Sequence, residues 1–130
     1  MPHCFFVSDL HGHTGRYEKL FQRIEQALPD IVFLGGDLLP HGYHTPGEEG
    51  ADFIRHVLIE GFQHLKQKLQ DSYPGVFLIL GNDDPRVNEK IISDAGKEYG
   101  IWQYIHNRKV RYGDYDIYGY AFIPPSPFGL

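Results

Sequence analysis

Three short apolar runs, each stopped abruptly by glycine or by metal-type side chains, constrain this chain more than anything else in it. Cys4-Phe5-Phe6-Val7-Ser8, Ile31-Val32-Phe33-Leu34 and Val76-Phe77-Leu78-Ile79-Leu80 have the length and the β-branched and aromatic content of buried strands. Between the first two, Tyr17, Leu20, Phe21, Ile24 and Ala27 recur at helical spacing, with Thr14 as the expected N-cap and Pro29 beyond the end. Between the second and third, Phe53, Val57, Leu58, Phe62, Leu65 and Leu69 mark a second amphipathic helix within residues 51–69. It follows a loop from Leu39 to Gly50 that carries His41 and His44. Asn88 is placed to cap a third helix that uses Ile91, Ile92, Ala95 and Tyr99. After Gly100 the period changes to alternation, and Gly113-Asp114 between Val110-Arg111-Tyr112 and Tyr115-Asp116-Ile117-Tyr118 is a hairpin signal.

Strand–helix alternation repeated three times implies right-handed crossovers and a parallel sheet, with strands expected to be buried on both faces. The fold class is therefore α/β: a parallel β-α-β-α-β unit followed by a C-terminal hairpin. Functional groups in such sheets gather beyond the carboxyl ends of the strands.

Composition narrows the function. Twelve Lys and Arg stand against 17 Asp and Glu in 130 residues, a formal charge of −5. That balance leaves no basic patch and argues against nucleic acid as the main partner. The single cysteine, Cys4, excludes an internal disulfide and a cysteine zinc knuckle, and it is expected to be a small buried residue. No apolar run approaches a membrane span, and Met1-Pro2-His3 has no signal-peptide pattern, so a cytoplasmic location is expected.

Each strand delivers hard ligands to one rim. Asp9-Leu10-His11 follows the first, Gly35-Gly36-Asp37 the second, and Gly81-Asn82-Asp83-Asp84 the third. Carboxylates that converge in a crevice repel one another, and the ordinary remedies are raised pKa values or bound cations. Asp, His and Asn suit Mn²⁺, Fe²⁺ or Zn²⁺.

In residues, order and separation, Asp9-Leu10-His11, Gly36-Asp37 and Gly81-Asn82 resemble the first three motifs of the calcineurin-like metallophosphoesterases, over nearly the whole chain. The resemblance implies an αββα sandwich, of which residues 1–130 would be the first half, incomplete at the C-terminus. It implies two divalent cations (Mn, Fe or Zn), with Asp9 and His11 on the first, Asp37 bridging both and Asn82 on the second. The implied reaction is hydrolysis of a phosphomonoester or phosphodiester by attack of a metal-bound hydroxide, with Asn82, Asp83 and Asp84 as the catalytic segment.

Two departures from the family pattern qualify that expectation. Many members carry a histidine after the Asn, thought to protonate the leaving group. Here that position is Asp83, a poor acid beside cations, and Asp84 matches the acidic residue that follows. The family also completes its site with later histidines, including Gly-His-x-His, whereas only His106 lies beyond Asp84, in a different context. A truncated chain of this kind is expected to bind metal weakly, to be poorly active, and to self-associate through an uncovered sheet face or edge. The alternative reading is a phosphoesterase-like scaffold that binds protein partners with little or no catalysis. His13, His41 and His44 read as ordinary loop histidines near the rim, and Arg86 as a solvated charge at a helix start.

Overall fold

The computed structural model describes residues 3–39, 52–81, 88–106 and 108–119. Within them the chain runs β1 (Cys4–Val7), α1 (Thr14–Ala27), β2 (Ile31–Leu34), a π-helical segment (Ile54–Ile59) leading into α2 (Glu60–Leu69), β3 (Gly75–Leu78), α3 (Glu89–Tyr99), β4 (Gln103–Tyr104) and a hairpin of β5 (Arg108–Tyr112) and β6 (Tyr115–Gly119). The first four strands form one parallel sheet in the order β1-β2-β3-β4, with Cys4 opposite Ile31 and Ile31 opposite Gly75. This α/β architecture, a parallel unit plus a hairpin, is the one the alternating pattern requires. The fourth parallel strand is only two residues long, and no apolar run announces it.

The strand order accounts for the distribution of the core. When each right-handed crossover steps in the same direction, every helix falls on the same side of the sheet. Val32, Leu34, Val76 and Leu78 accordingly face Tyr17, Leu20 and Ile24 of α1, Leu58, Phe62 and Leu65 of the second helical segment, and Ile92 and Ala95 of α3 in one buried cluster. The alternate residues Ile31 and Phe77 turn to the other side, where the hairpin residues Val110, Tyr112 and Ile117 pack against them. The expectation of strands buried on both faces therefore fails for β1. It is the sheet edge, Phe6 is 72% exposed, and Tyr118 of the hairpin is 74% exposed. Cys4, expected to be buried, is exposed for the same reason.

Of the two expected caps, Asn88 holds in position and Thr14 does not, and neither bonds as a cap. Thr14 opens α1 as its first residue, but the cap position belongs to His13, with no side-chain cap bond. Asn88 does sit at the cap of α3, and its side chain makes no capping bond either. The π-helical segment moves the buried face by about one residue per turn relative to a regular helix, so Ile54 and Ile59 join the core while Phe53 and Val57 are only partly buried. Tyr73 ties the end of this unit to the start of β4 by donating to the Ile101 carbonyl at 2.7 Å, and burial pushes its phenol well above the usual tyrosine value.

Phe62 is the keystone of the helix-side cluster, meeting Phe21 edge-on at 5.1 Å and Trp102 edge-on at 5.7 Å. Phe62→Ala removes a fully buried ring and leaves a cavity, so it is expected to lower stability by about 3–5 kcal/mol, measured by urea unfolding. A loss below about 1 kcal/mol would mean that the helices are not packed on the sheet as described.

Candidate metal centre

The parallel ladders bring the ends of β1, β2 and β3 to one rim. Beyond the strands proper, Gly35 N–H donates to the Val7 carbonyl at 2.7 Å and Ile79 N–H to the Leu34 carbonyl at 3.1 Å, which carries the pairing up to the site. The two loops that follow β1 and β2 are then stitched together by backbone. Asp9 N–H donates to the Gly36 carbonyl (3.2 Å), His11 N–H to the Asp37 carbonyl (2.8 Å) and Gly12 N–H to the Leu38 carbonyl (3.0 Å). Two loops joined this way have little freedom to splay.

Three side chains meet at this seam. Asp9, His11 and Asp37 each offer one ligand atom, and these atoms all lie within 4.8 Å of one another. His11 Nε2 is 3.7 Å from Asp9 Oδ1, and the Ser8 hydroxyl donates to Asp9 Oδ2 at 3.2 Å. Asp37 and His11 are partly buried, whereas Asp9 is open to solvent.

The backbone of each of the three is left-handed, with φ of 59° at Asp9, 47° at His11 and 54° at Asp37. Side chains with a Cβ resist that conformation at about 1–3 kcal/mol each, with Asp and His toward the tolerant end. Repulsion between the two carboxylates adds to this. Unit charges about 4 Å apart feel about 4 kcal/mol at an effective dielectric of about 20, and water around Asp9 screens much of it. Backbone strain and charge repulsion are thus of similar size, and the strain falls on the three residues whose side chains converge.

Two glycines make the convergence possible. Gly36, at φ 105°, passes so close to β3 that a Cβ on it would lie 2.8 Å from Gly81 Cα. A Cβ on Gly81 would in turn lie 2.7 Å from Asp37 Cγ and closer still to its Oδ1 and backbone nitrogen. The Asp37 side chain thus rests on the bare face of Gly81. The sequence marks both glycines as strand-end turns but gives no sign that one is the seat of a carboxylate from another strand.

The donor set fits a divalent cation: two carboxylates and an imidazole, hard and borderline ligands, held in a cradle that any side chain at residue 81 would fill. Of the residues singled out from sequence, Asp9, His11 and Asp37 are brought together. Asn82, Asp83, Asp84 and Arg86 lie outside the described residues, as do His41 and His44. His13 is an exposed residue at the head of α1, and His106 lies past the end of β4, where it bridges to Gly119. Arg16 and Tyr17 hold the site loops from behind, and sequence reasoning misses both as site residues. Helical periodicity places Tyr17 only in an apolar stripe.

Comparison with known proteins identifies the family to which this sheet and its strand-end donors belong. The sequence profile of the calcineurin-like phosphoesterases matches residues 3–127, and the chain belongs to that family. Among solved structures, one superposes with a TM-score of 0.64 at 16% identity, covering 98% of this chain and 56% of its own. TT1561 of Thermus thermophilus superposes with a TM-score of 0.62 at 13% identity, covering 92% of this chain and 48% of its own. This chain therefore spans about half the length of these two structures, and at such identities the likeness concerns the fold. A search of curated proteins gave no match. No described helix is long and apolar enough to cross a membrane.

Proposed function

We propose that this domain takes part in metal-dependent hydrolysis of a phosphomonoester or phosphodiester, with Asp9, His11 and Asp37 holding a divalent cation. The observation that carries the reading is the convergence of three strained donors on one rim, in a chain of the phosphoesterase family. A scaffold has no physical need for left-handed backbone at all three positions.

Bound divalent cations lower the pKa of a coordinated water and offset charge on the transferring phosphoryl group. The chain supplies the rest. Asp9 and Asp37 would provide the anionic ligands, and Asp37, whose side chain rests on Gly81, would be the ligand shared with a second cation. His11 would contribute an imidazole nitrogen. Asn82, which follows Gly81, would add a ligand to a second cation and an amide donor to a phosphoryl oxygen. Asp83 and Asp84 would support that segment, and the leaving group would take its proton from water or be activated enough to need none. Mn, Fe and Zn all suit this donor set. The single exposed thiol, Cys4, fits a reducing compartment such as the cytoplasm.

The test is turnover of p-nitrophenyl phosphate and bis-p-nitrophenyl phosphate with added Mn²⁺, using the protein at its full natural length. Metal-stimulated turnover of at least one is expected. If none of Mn²⁺, Zn²⁺ or Fe²⁺ stimulates turnover, the catalytic reading is lost and the protein-binding scaffold takes its place.

A further inference from the structure

Behind the candidate metal centre, two consecutive residues of α1 reach the two ligand-bearing loops separately. The Arg16 guanidinium donates through Nη1 to the backbone carbonyl of Asp9 at 2.9 Å. The Tyr17 hydroxyl, in a side chain only 1% exposed, donates to the backbone carbonyl of Leu38 at 2.7 Å. Asp9 is itself a donor residue, and Leu38 follows Asp37 directly. The same Leu38 carbonyl accepts from Gly12 N–H at 3.0 Å, so one oxygen joins the β2 loop both to the β1 loop and to the helix.

We propose that Arg16 and Tyr17 are positioning residues that set the separation and orientation of Asp9 and Asp37, and so tune the affinity of the cation they hold. The proposal rests on the metal reading above and adds to it a control built into the first turn of α1. A left-handed residue relaxes readily if its flanking carbonyl is released, because the conformation is a minor one for any residue with a Cβ. At Asp9 that carbonyl is the group Arg16 holds. A charged donor makes the stronger bond, and its planar fork loses little freedom on binding. Tyr17 brings its ring into the core beside Phe53 and Phe21, at 5.5 and 6.3 Å, and this packing fixes where its hydroxyl lies. Arg16 is exposed and hydrogen-bonds to main chain, so its effect on substrate would pass through Asp9.

The test uses three variants, Arg16→Met, Arg16→Lys and Tyr17→Phe, with two readouts on each. The first is Mn²⁺ affinity by calorimetric titration. Arg16→Met and Tyr17→Phe are each expected to weaken it about 10-fold, in the range for groups that orient metal ligands, with Arg16→Lys recovering most of the loss. The second needs no metal: amide hydrogen exchange at His11 and Gly12, whose N–H groups bond across to the β2 loop, is expected to accelerate about 10-fold in the same two variants. If Arg16→Met and Tyr17→Phe both bind Mn²⁺ within about twofold of wild type, the proposal is overturned. A raised KM for phosphate esters at unchanged metal affinity in Arg16→Met also overturns it, by making Arg16 a substrate contact. If the wild-type chain binds no divalent metal, the metal reading fails by itself, and the exchange rates alone then decide whether the pair braces the two loops.

Discussion

Asp37→Asn should abolish metal-stimulated phosphoesterase turnover while leaving the domain folded. Asn has the shape of Asp and tolerates left-handed backbone about as well, so neither packing nor the φ of 54° at this position is disturbed. What changes is charge and ligand strength at a side chain that rests on Gly81 with its carboxylate within 4.8 Å of the Asp9 and His11 ligand atoms. Losing a mere orienting partner of a metal ligand costs about 10–100-fold in affinity, so replacing one of the proposed ligands is expected to cost at least about 100-fold. Calorimetric titration with Mn²⁺ measures this directly, and turnover of bis-p-nitrophenyl phosphate should fall in step. Far-ultraviolet circular dichroism and the urea midpoint should stay near wild type. Should Asp37→Asn retain wild-type Mn²⁺ affinity, the cation is held elsewhere.

Gly81→Ala is the second large effect, and it reaches the same carboxylate without touching it chemically. The added methyl would overlap Asp37 Oδ1, Cγ and backbone nitrogen, and a rotation of the side chain cannot relieve the clash with the nitrogen. Either the Asp37 loop moves or β3 does. Overpacking of this kind costs about 1–3 kcal/mol in stability, read by urea unfolding. More tellingly, Mn²⁺ affinity should fall about as far as in Asp37→Asn, because the carboxylate has lost its seat. A variant that is destabilised yet binds Mn²⁺ normally would separate the glycine from the site and refute the cradle.

Much of this is readable from the chain, and the residues show why. Asp9, His11 and Asp37 can be placed on one rim because parallel strands fix the direction of their carboxyl ends, whatever the details of packing. The hairpin at Gly113-Asp114 is legible because the turn is set by two adjacent residues, and Gly113 does take a positive φ of 58°. The failures lie where geometry depends on distant partners. Phe5 and Phe6 have the composition of a buried strand, but the order β1-β2-β3-β4 leaves Phe6 at an edge, and apolar content cannot reveal strand order. The π-helical segment at Ile54–Ile59 defeats a fixed helical period. Gly81 and Asp37 are separated in sequence by a whole crossover, so no local pattern could disclose that one supports the other. Tyr17 shows its ring in the sequence and not its hydroxyl, because helical periodicity records burial and is silent on which carbonyl a buried phenol meets.

The stitching of the β1 and β2 loops has a consequence for how the chain reaches its native state. All three donors, and every backbone bond named above that joins those loops, belong to the first 38 residues, so the opening β-α-β crossover brings the donors together before Gly81 completes the seat of Asp37. Closing that crossover costs chain entropy before later strands can repay it. A cation seated on Asp9, His11 and Asp37 would bridge the ends of the closure itself, joining metal uptake to the folding of this crossover.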